Sequence, residues 1–245
     1  MKLIVVNSNS SGNAYALDAG GEILLLEAGC KMADVKRRID YRISDVAGCI
    51  VTHSHGDHAK YATEYAKFGV HVYCPQDVAD KKQFPYGTCS VCRHGMTASI
   101  GSFRVVPFLN HHDVEIYGYL IHHPSMGTLL FSTDSYKISN TITGIDHYLI
   151  EANYSDDILK ENTANGKLDR AQADRIMLSH MSLDYCIKYL HDCHADQSAK
   201  TITLCHLSER NSCPRLFAER VAGEFGVPTM IAAKGITIEL NKEPL

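Results

Sequence analysis

Four side chains able to bind a metal ion lie within six residues of the segment THSHGDH, residues 52–58. They are His53, His55, Asp57 and His58, and they follow an apolar run that predicts a buried strand. Where a strand ends in a turn, several side chains can converge on one point. Imidazole nitrogens and a carboxylate suit Zn, Mn, Fe or Co. A solvated polar turn is the alternative, but chance rarely places this set at a strand end, so we expect a metal site here.

Six consecutive residues cannot all surround one ion comfortably. The more natural division places two histidines on one metal ion, and Asp57 with His58 on a neighbouring ion.

The remaining sequence predicts the elements that must position this cluster. Apolar runs bounded by turn residues predict strands at 3–6, 14–18, 22–28, 47–52, 70–74, 103–109, 116–122, 128–132, 147–152, 201–207, 229–232 and 236–240. Helical periodicity predicts helices at 32–41, 59–68, 170–178, 183–191 and 214–225, the last with Ser212 as its N-cap. Strands and helices occur in both halves, and no linker or low-complexity segment separates them. We therefore expect a layered α/β sandwich formed by a single domain, residues 1–245.

Composition and charge exclude several classes of protein. The chain has 245 residues, 45% of them hydrophobic, which rules out disordered, collagen-like and coiled-coil proteins. No apolar run approaches the roughly 20 residues of a membrane span, and the first apolar stretch is too short for a signal peptide. We therefore expect a cytoplasmic protein with no membrane partner. Its net charge of −4 argues against broad electrostatic attachment to nucleic acid but leaves room for a local basic groove.

The order of motifs along the chain resembles the metallo-β-lactamase-fold hydrolases. The signature HxHxDH at residues 53–58 carries the resemblance, which extends over nearly the whole chain. The other matching segments are SGN at 11–13, LEAG at 26–29 with Glu27 where Asp is more usual, HD at 112–113 with GY at 118–119, STD at 132–134, and LCHLS at 204–208. With EANY at 151–154 and HMS at 180–182, the order is most similar to the YycJ/WalJ-type branch, which is linked to exonuclease activity on DNA. RNA-processing nucleases and cyclic-nucleotide phosphodiesterases of the same fold are near alternatives.

This resemblance implies a metallo-β-lactamase-like four-layer αββα sandwich with its site at one edge, between the two sheets. It also implies two divalent metal ions, Zn or Mn. The implied ligands are His53, His55 and His112 on the first ion, Asp57, His58 and His206 on the second, and Asp134 bridging both. Each lies at the end of an apolar run, where loops on a rigid scaffold carry function.

Two assignments have close alternatives in the sequence. His111 adjoins His112, and we choose His112 because Asp113 then completes the His-Asp pair of the family. His180 lies in a segment similar to that of His206, and we prefer His206 as the ligand because its strand is clearer. His180 is then either a residue that contacts substrate or a structural histidine at a helix start. We expect Asp57 and His180 to be the catalytic residues, with His180 clamping a phosphate oxygen or protonating the leaving alkoxide.

The predicted charges favour an anionic substrate. Two divalent ions about 3.5–4 Å apart lower the pKa of a shared water, so that a metal-bridging hydroxide can attack. Asp57 and Asp134 neutralise only part of the charge of two such ions. We therefore predict a metal-dependent phosphodiesterase, a 5′–3′ exonuclease-like nuclease acting on nucleic acid or nucleotides. The alternatives are a cyclic-nucleotide phosphodiesterase, a small-molecule ester or lactone hydrolase on the same site, and a catalytically silent binding protein.

Two further features of the sequence stay open. Cys89 and Cys92 form a CxxC pair near His94, with Cys74 upstream, so these residues could hold a structural zinc ion, form a redox pair or remain free thiols. The length of the chain leaves no room for an added clamp domain, which favours short substrates or a homodimer that builds the substrate track between subunits.

Overall fold

Two β-sheets lie face to face in the computed structural model, which describes residues 1–241. In chain order the strands are β1 Lys2–Asn9, β2 Gly12–Asp18, β3 Ile23–Leu26, β4 Val46–Ile50, β5 Val72–Cys74, β6 Cys89–Val91, β7 Ala98–Ile100, β8 Phe103–His111, β9 Tyr117–His123, β10 Gly127–Ser132, β11 Lys137–Ile138, β12 His147–Glu151, β13 Thr201–Cys205, β14 Thr229–Ile231 and β15 Thr237–Glu239. The first sheet has the order β15-β1-β2-β3-β4-β5-β6. The second has the order β11-β8-β9-β10-β12-β13-β14, and β7 pairs with β8.

The described residues also form α-helices, several of which cover the outer faces of the two sheets. The helices are α1 Met32–Arg38, α2 Gly56–Ala59, α3 Ala62–Lys67, α4 Gln76–Lys81, α5 Asp156–Ala164, α6 Arg170–Ser179, α7 Leu183–Asp192, α8 Ala195–Ser198 and α9 Pro214–Phe225. A single 3-10 turn spans Ile43–Asp45. Residues of α1, α3 and α4 pack on the first sheet, whereas α7 and α9 pack on the second. The expected four-layer αββα sandwich is confirmed.

Strands that are buried on both faces account for the long apolar runs of the sequence. In β1, Leu3 belongs to the core between the two sheets, whereas Ile4 packs against the helices outside the first sheet. In β10, Leu129 lies in the same inter-sheet core and Leu130 packs against the helices of the second sheet. Alternate residues therefore supply different cores, and no polar face interrupts the strand.

The functional edge of the sandwich is set by parallel strands. Strands β10, β12, β13 and β14 run parallel, as do β3, β4, β5 and β6, so the carboxyl ends within each group share one edge. Glu27, Asp134 and His206 follow β3, β10 and β13 in the left-handed conformation, with φ of 65°, 47° and 52°. Such backbone is costly for residues other than glycine and concentrates at functional sites.

Several local predictions differ from the structure. Helix α9 spans the predicted residues, but Cys213 is its N-cap; Ser212 instead donates its hydroxyl to the carbonyl of Ser208. The helix expected at 59–68 is split into α2 and α3 around Lys60 and Tyr61. Helix α5 was not predicted, because its sequence is largely polar and buries only Leu159. Within residues 1–241, no helix has the length and apolar character needed to cross a membrane.

Candidate metal centre

Three histidines form the first set of metal-binding atoms. His53 and His55 follow β4, and His112 follows β8; one ring nitrogen of each lies within 4.8 Å of the others. His55 Nδ1 is 3.2 Å from His112 Nε2. His53 is fully buried, its Nδ1 lies 2.9 Å from the hydroxyl of Thr52, and its Nε2 has no hydrogen-bond partner. A buried ring nitrogen without a partner is costly unless a ligand such as a metal ion takes its lone pair.

Two carboxylates and two histidines form the second set. His58 Nε2 is 3.3 Å from both Asp57 Oδ2 and Asp134 Oδ1. His206 Nε2 is 3.3 Å from Asp57 Oδ2 and 3.5 Å from Asp134 Oδ1. A tetrahedral ion with ligand bonds of about 2.0–2.1 Å separates its ligand atoms by about 3.3–3.4 Å. The four histidine-to-carboxylate distances therefore match the spacing that a tetrahedral cation requires, and all four atoms lie within 4.8 Å of one another.

Asp134 lies between the two sets. Its Oδ1 belongs to the second set, while its Oδ2 is 4.0 Å from His53 Nε2 in the first. Thr133 donates its hydroxyl to Asp134 Oδ1 at 2.7 Å. The two oxygens of this one carboxylate thus face different donor sets, as the ligand expected to bridge two ions would.

Two fully buried glutamates lie behind the histidine rings. Glu27 accepts hydrogen bonds from the amide and hydroxyl of Thr52, and its Oε1 is 3.3 Å from His58 Nδ1. Glu151 Oε2 accepts from the amides of Ser135 and Met181. These hydrogen bonds hold both carboxylates in place, and carboxylates behind ligand histidines fix ring orientation and strengthen the ligand.

Four carboxylates concentrate negative charge at this site: Glu27, Asp134 and Glu151, which are buried, and Asp57, which is partly exposed. Burial alone would raise the pKa of Asp134, but the rings of His206 and His58 hold that pKa well below its usual range. Burial alone would lower the pKa of His58 and of His206, yet the neighbouring carboxylates raise both. The site thus demands positive charge, which either protonated imidazoles or bound cations can supply. The residues fit divalent metal binding.

His180 lies beside the second donor set, at the C-terminal end of α6. Its Nδ1 donates to Glu151 Oε1 at 2.7 Å, and its ring stacks on that of His206 with centroids 5.3 Å apart. Burial alone would lower the pKa of His180, but the Glu151 carboxylate raises it. His180 and His206 line a cavity of about 240 Å³ together with Asn153 and Arg210. With Nδ1 held by Glu151, Nε2 is the ring nitrogen left for a bound molecule.

The structure places the two histidines of each alternative pair, His111 with His112 and His180 with His206, in different surroundings. His112 joins the first donor set and donates its Nδ1 proton to the carbonyl of Ser179 at 2.9 Å. His111 instead contacts the hydroxyl of Ser139 at 2.8 Å through Nε2, outside the three donor groups. His206 lies in the second set, and His180 forms a further group with Asp134, Glu151 and His206.

The cysteines do not assemble into a comparable site. Cys74 Sγ and Cys89 Sγ are 3.5 Å apart, but the groups of three metal-binding atoms found within residues 1–241 contain neither Cys92 nor His94. The structural zinc alternative therefore has no support from these residues. All nine cysteines are free thiols.

Sequence reasoning missed the two buried glutamates as site residues. Glu27 was noted only as a departure from the usual Asp, and Glu151 only as part of a motif. Each is the sole acidic residue at the end of an apolar strand, in LLLE and HYLIE respectively. An acidic residue in that position is a usable signal, because a buried carboxylate needs a charged or hydrogen-bonding partner. Asn13, whose Nδ2 is 3.0 Å from His58 Nε2, gave no such signal.

Comparison with known proteins agrees with this fold. No family model matches the chain. It is 26% identical over 234 residues to exodeoxyribonuclease WalJ of Streptococcus pneumoniae, covering 88% of this chain and 84% of that protein. It is 24% identical over 227 residues to exodeoxyribonuclease YycJ of Bacillus anthracis, covering 86% and 84%. The metallo-β-lactamase fold protein YhfI of Bacillus subtilis superposes with a TM-score of 0.76 at 17% identity, over 97% of this chain and 99% of that one. The chain is thus a metallo-β-lactamase-fold protein whose sequence is similar to the WalJ and YycJ exodeoxyribonucleases over most of its length.

Proposed function

We propose that this chain is a divalent-metal-dependent phosphodiesterase that acts as an exonuclease on DNA. The observation that carries the proposal is the convergence of seven metal-binding side chains from distant parts of the chain on one edge of the sandwich. They are His53, His55, Asp57, His58, His112, Asp134 and His206. Ordinary packing gives no reason to bury so many ionisable groups together, whereas a pair of Zn or Mn ions does.

The positions of the side chains indicate the chemical role of each. Divalent ions, when bound by these residues, would supply a water of lowered pKa and stabilise the charge that gathers on the phosphate. His180 faces the adjoining cavity and is oriented by Glu151, so its Nε2 is suited to donate a proton to the leaving oxygen. The side chain of Asp57 is 21% exposed, so it lies at the rim of the site, where it can contact an incoming substrate.

The class of substrate is inferred from charge and from similarity. Two divalent ions bound here would offset the negative charge of the surrounding carboxylates and would offer cationic centres to the oxygens of a phosphodiester. The relatives WalJ and YycJ are named exodeoxyribonucleases, which supports DNA over other phosphodiesters. The 5′–3′ polarity stays a prediction from the resemblance in sequence.

Two adjacent histidines offer a matched test of this proposal. We expect His112→Ala to lower DNA cleavage by about a hundredfold or more, because it removes a side chain of the first donor set. His111→Ala should retain activity within about twofold, since that ring lies outside the donor groups. Both variants are assayed with Mn or Zn on 5′-phosphorylated DNA labelled at either end, which also reports the polarity of digestion.

A parallel substrate panel separates the alternatives. Bis-aryl phosphate, a cyclic nucleotide and a lactone are assayed with the same metal-loaded preparation. Cleavage of the cyclic nucleotide or lactone with no cleavage of DNA would overturn the nuclease proposal. Full DNA cleavage by a folded His112→Ala protein would overturn the role of the donor sets.

A further inference from the structure

A second cavity of about 440 Å³ lies on the other side of the turn that joins β1 and β2. Asn9 and Ser10 of this turn line the cavity that contains His180 and His206, whereas Asn7 and Ser11 line the second cavity. The turn is held by its own hydrogen bonds, with Asn9 Oδ1 accepting from the Asn7 side chain and from the amide and hydroxyl of Ser11. It is therefore a fixed ridge between the two cavities.

The lining of the second cavity is strongly cationic. It contains four basic side chains and a single acidic one, although the chain as a whole has a net charge of −4. Arg37 pairs with the acidic residue, Asp34, at 2.8 Å, and Arg38 donates to the carbonyl of Gly235 at 2.7 Å. Lys31 and Lys234 are exposed and have no carboxylate partner in the part of the chain that the structure describes. Two ammonium groups are thus available to an anion in a concave, basic region.

The basic cavity adjoins the catalytic edge. Gly29 lines it and packs so closely on α2 that a Cβ there would lie 1.7 Å from the carbonyl oxygen of Asp57. A smaller cavity of about 230 Å³ continues between the two, with Asn7, Ser208 and Lys234 in its walls. This smaller cavity shares Asn9 and Ser208 with the cavity at His180, and Asn7 and Lys234 with the basic cavity, so the three cavities adjoin one another.

An aromatic side chain completes the wall of the basic cavity. Tyr61 is partly exposed there, and its backbone amide donates to the carbonyl of Ala28 at 2.8 Å. Tyr61 shares the walls of this cavity with Lys31 and Lys234, so the cavity offers an aromatic face to a base and positive charge to the adjoining phosphate. A cavity of this size falls in the range that holds a small organic ligand.

We propose that this cavity is a second, non-catalytic subsite for one nucleotide of a single DNA strand whose scissile phosphate lies at the metal centre. Lys31 and Lys234 contact a backbone phosphate, and a base stacks on Tyr61. The inference rests on the proposed nuclease function. The subsite adds a contact with the strand at a position distant from the bond that is cleaved. The affinity for DNA therefore does not depend on the metal centre alone.

Binding in the presence of a chelator tests the subsite separately from catalysis. The full chain and its Lys31→Ala/Lys234→Ala variant are titrated into a 3′-labelled, 5′-phosphorylated single strand of roughly 12 nucleotides, with anisotropy as readout. We expect the Kd to rise about tenfold and the slope of log Kd against log salt to fall by about 0.7, since the variant loses its contact with one phosphate and each phosphate contributes about 0.7 on a single strand. Thermal melting and metal content of the variant show whether it is folded.

Three further variants sharpen the result. Lys2→Ala/Lys188→Ala removes two exposed lysines elsewhere and should leave both the Kd and the salt slope unchanged. Tyr61→Leu should weaken binding without changing the salt slope, and Tyr61→Phe should bind like the wild type, because the ring and not the hydroxyl is required.

The outcomes for the subsite and for the enzyme are distinct. If the Lys31→Ala/Lys234→Ala protein binds DNA with unchanged Kd, or with unchanged salt slope, the subsite proposal is wrong even if DNA is cleaved. If the wild-type, metal-loaded protein cleaves no DNA, the proposed function fails, whatever the binding data show.

Discussion

At the scale of single residues, the buried carboxylates explain why the histidines are held so firmly. Glu151 Oε1 lies 2.7 Å from His180 Nδ1 and 3.3 Å from His206 Nδ1, so one charge orients two rings. The backbone amides of Ser135 and Met181 fix the carboxylate from behind. A change at Glu151 should therefore affect metal affinity without removing any of the predicted metal ligands.

We expect Glu151→Gln to lower the affinity for Zn or Mn by about 10–100-fold, because the amide keeps the size of the side chain but loses its charge behind His206. Competition with a chromogenic chelator measures the affinity. Glu22→Gln is the matched control: Glu22 also accepts a backbone amide, that of Ser102, but lies away from the donor sets. Equal metal affinity of the two variants would contradict the role assigned to Glu151.

A second residue-scale prediction concerns pH and a histidine outside the site. His147 is fully buried at the start of β12, where its Nδ1 contacts the hydroxyl of Thr201 at 2.8 Å and its Nε2 has no partner. Burial lowers the pKa of His147 to about 4 from an ordinary value near 6.5. Between about pH 6.5 and pH 4, the unfolded chain therefore binds a proton at His147 that the folded chain does not bind. The part of the free energy of unfolding that is present above about pH 6.5 is lost as the pH falls toward about 4.

The loss should amount to as much as about 3 kcal/mol. His147→Gln removes this titration, so the stability advantage of wild type over the variant should shrink from about pH 7 to about pH 4.5. Urea unfolding in the presence of a chelator, at each pH, measures it. A constant difference between the two proteins over this range would show that His147 is not the group responsible.

At the scale of elements, the close contact between the loop after β3 and helix α2 positions the HxHxDH segment. Gly29 has no room for a side chain, because a Cβ would lie 1.7 Å from the Asp57 carbonyl oxygen and 2.6 Å from the Asn13 amide. Ala28 also donates its amide to the carbonyl of His58 at 2.7 Å. The position of α2, and with it Asp57 and His58, thus depends on a glycine here.

Gly29→Ala should displace α2 and reduce both bound metal and DNA cleavage by about tenfold or more, because ligand geometry tolerates little displacement. Gly21→Ala is the control, since a Cβ at Gly21 meets no atom within 4 Å. Metal content per folded chain and initial cleavage rate are measured for both. Normal metal content in Gly29→Ala would show that the contact does not position the ligands.

The elements differ in how far the sequence could predict them. The buried strands and α9 were predicted because apolar runs and helical periodicity report burial directly. Helix α5 escaped prediction because it lies largely outside the core and buries only Leu159. The break between α2 and α3 was also missed, since the amide of Tyr61 bonds to the distant carbonyl of Ala28 and tertiary contacts override a local helical pattern.

For the candidate site, local sequence predicted the cluster at residues 53–58, while the distant partners came from family resemblance. The left-handed backbone at Asp134 and His206 was not predicted: Asp and His adopt this conformation more readily than most residues other than glycine, but only the surrounding structure selects it at these positions. The basic cavity could not be predicted from the sequence either. Lys31 and Lys234 are far apart in the sequence, and composition gives only the net charge of the whole chain.

At the scale of the whole molecule, two facing sheets bring carboxyl strand ends from both halves of the chain to one edge. His53 and His55 come from the first sheet, while His112, Asp134 and His206 come from the second. Neither sheet alone contains a complete set of ligands. The metal centre therefore depends on the sandwich, and bound metal should in turn stabilise the sandwich, because it binds only the folded chain.

We expect a chelator to lower the melting temperature of the metal-loaded protein and re-addition of Mn or Zn to restore it. Differential scanning fluorimetry measures the shift at fixed protein concentration. The Asp134→Asn variant should show a much smaller metal-dependent shift, because Asp134 contacts both donor sets. A melting temperature that does not respond to metal in the wild type would contradict the coupling between metal and fold.

The most direct measurement is anomalous diffraction from crystals of the Mn- or Zn-loaded protein. The account predicts two anomalous peaks, one among His53, His55 and His112 and one among Asp57, His58 and His206, with Asp134 between them. Crystals of a preparation that cleaves DNA but shows no anomalous peak at either position would contradict it.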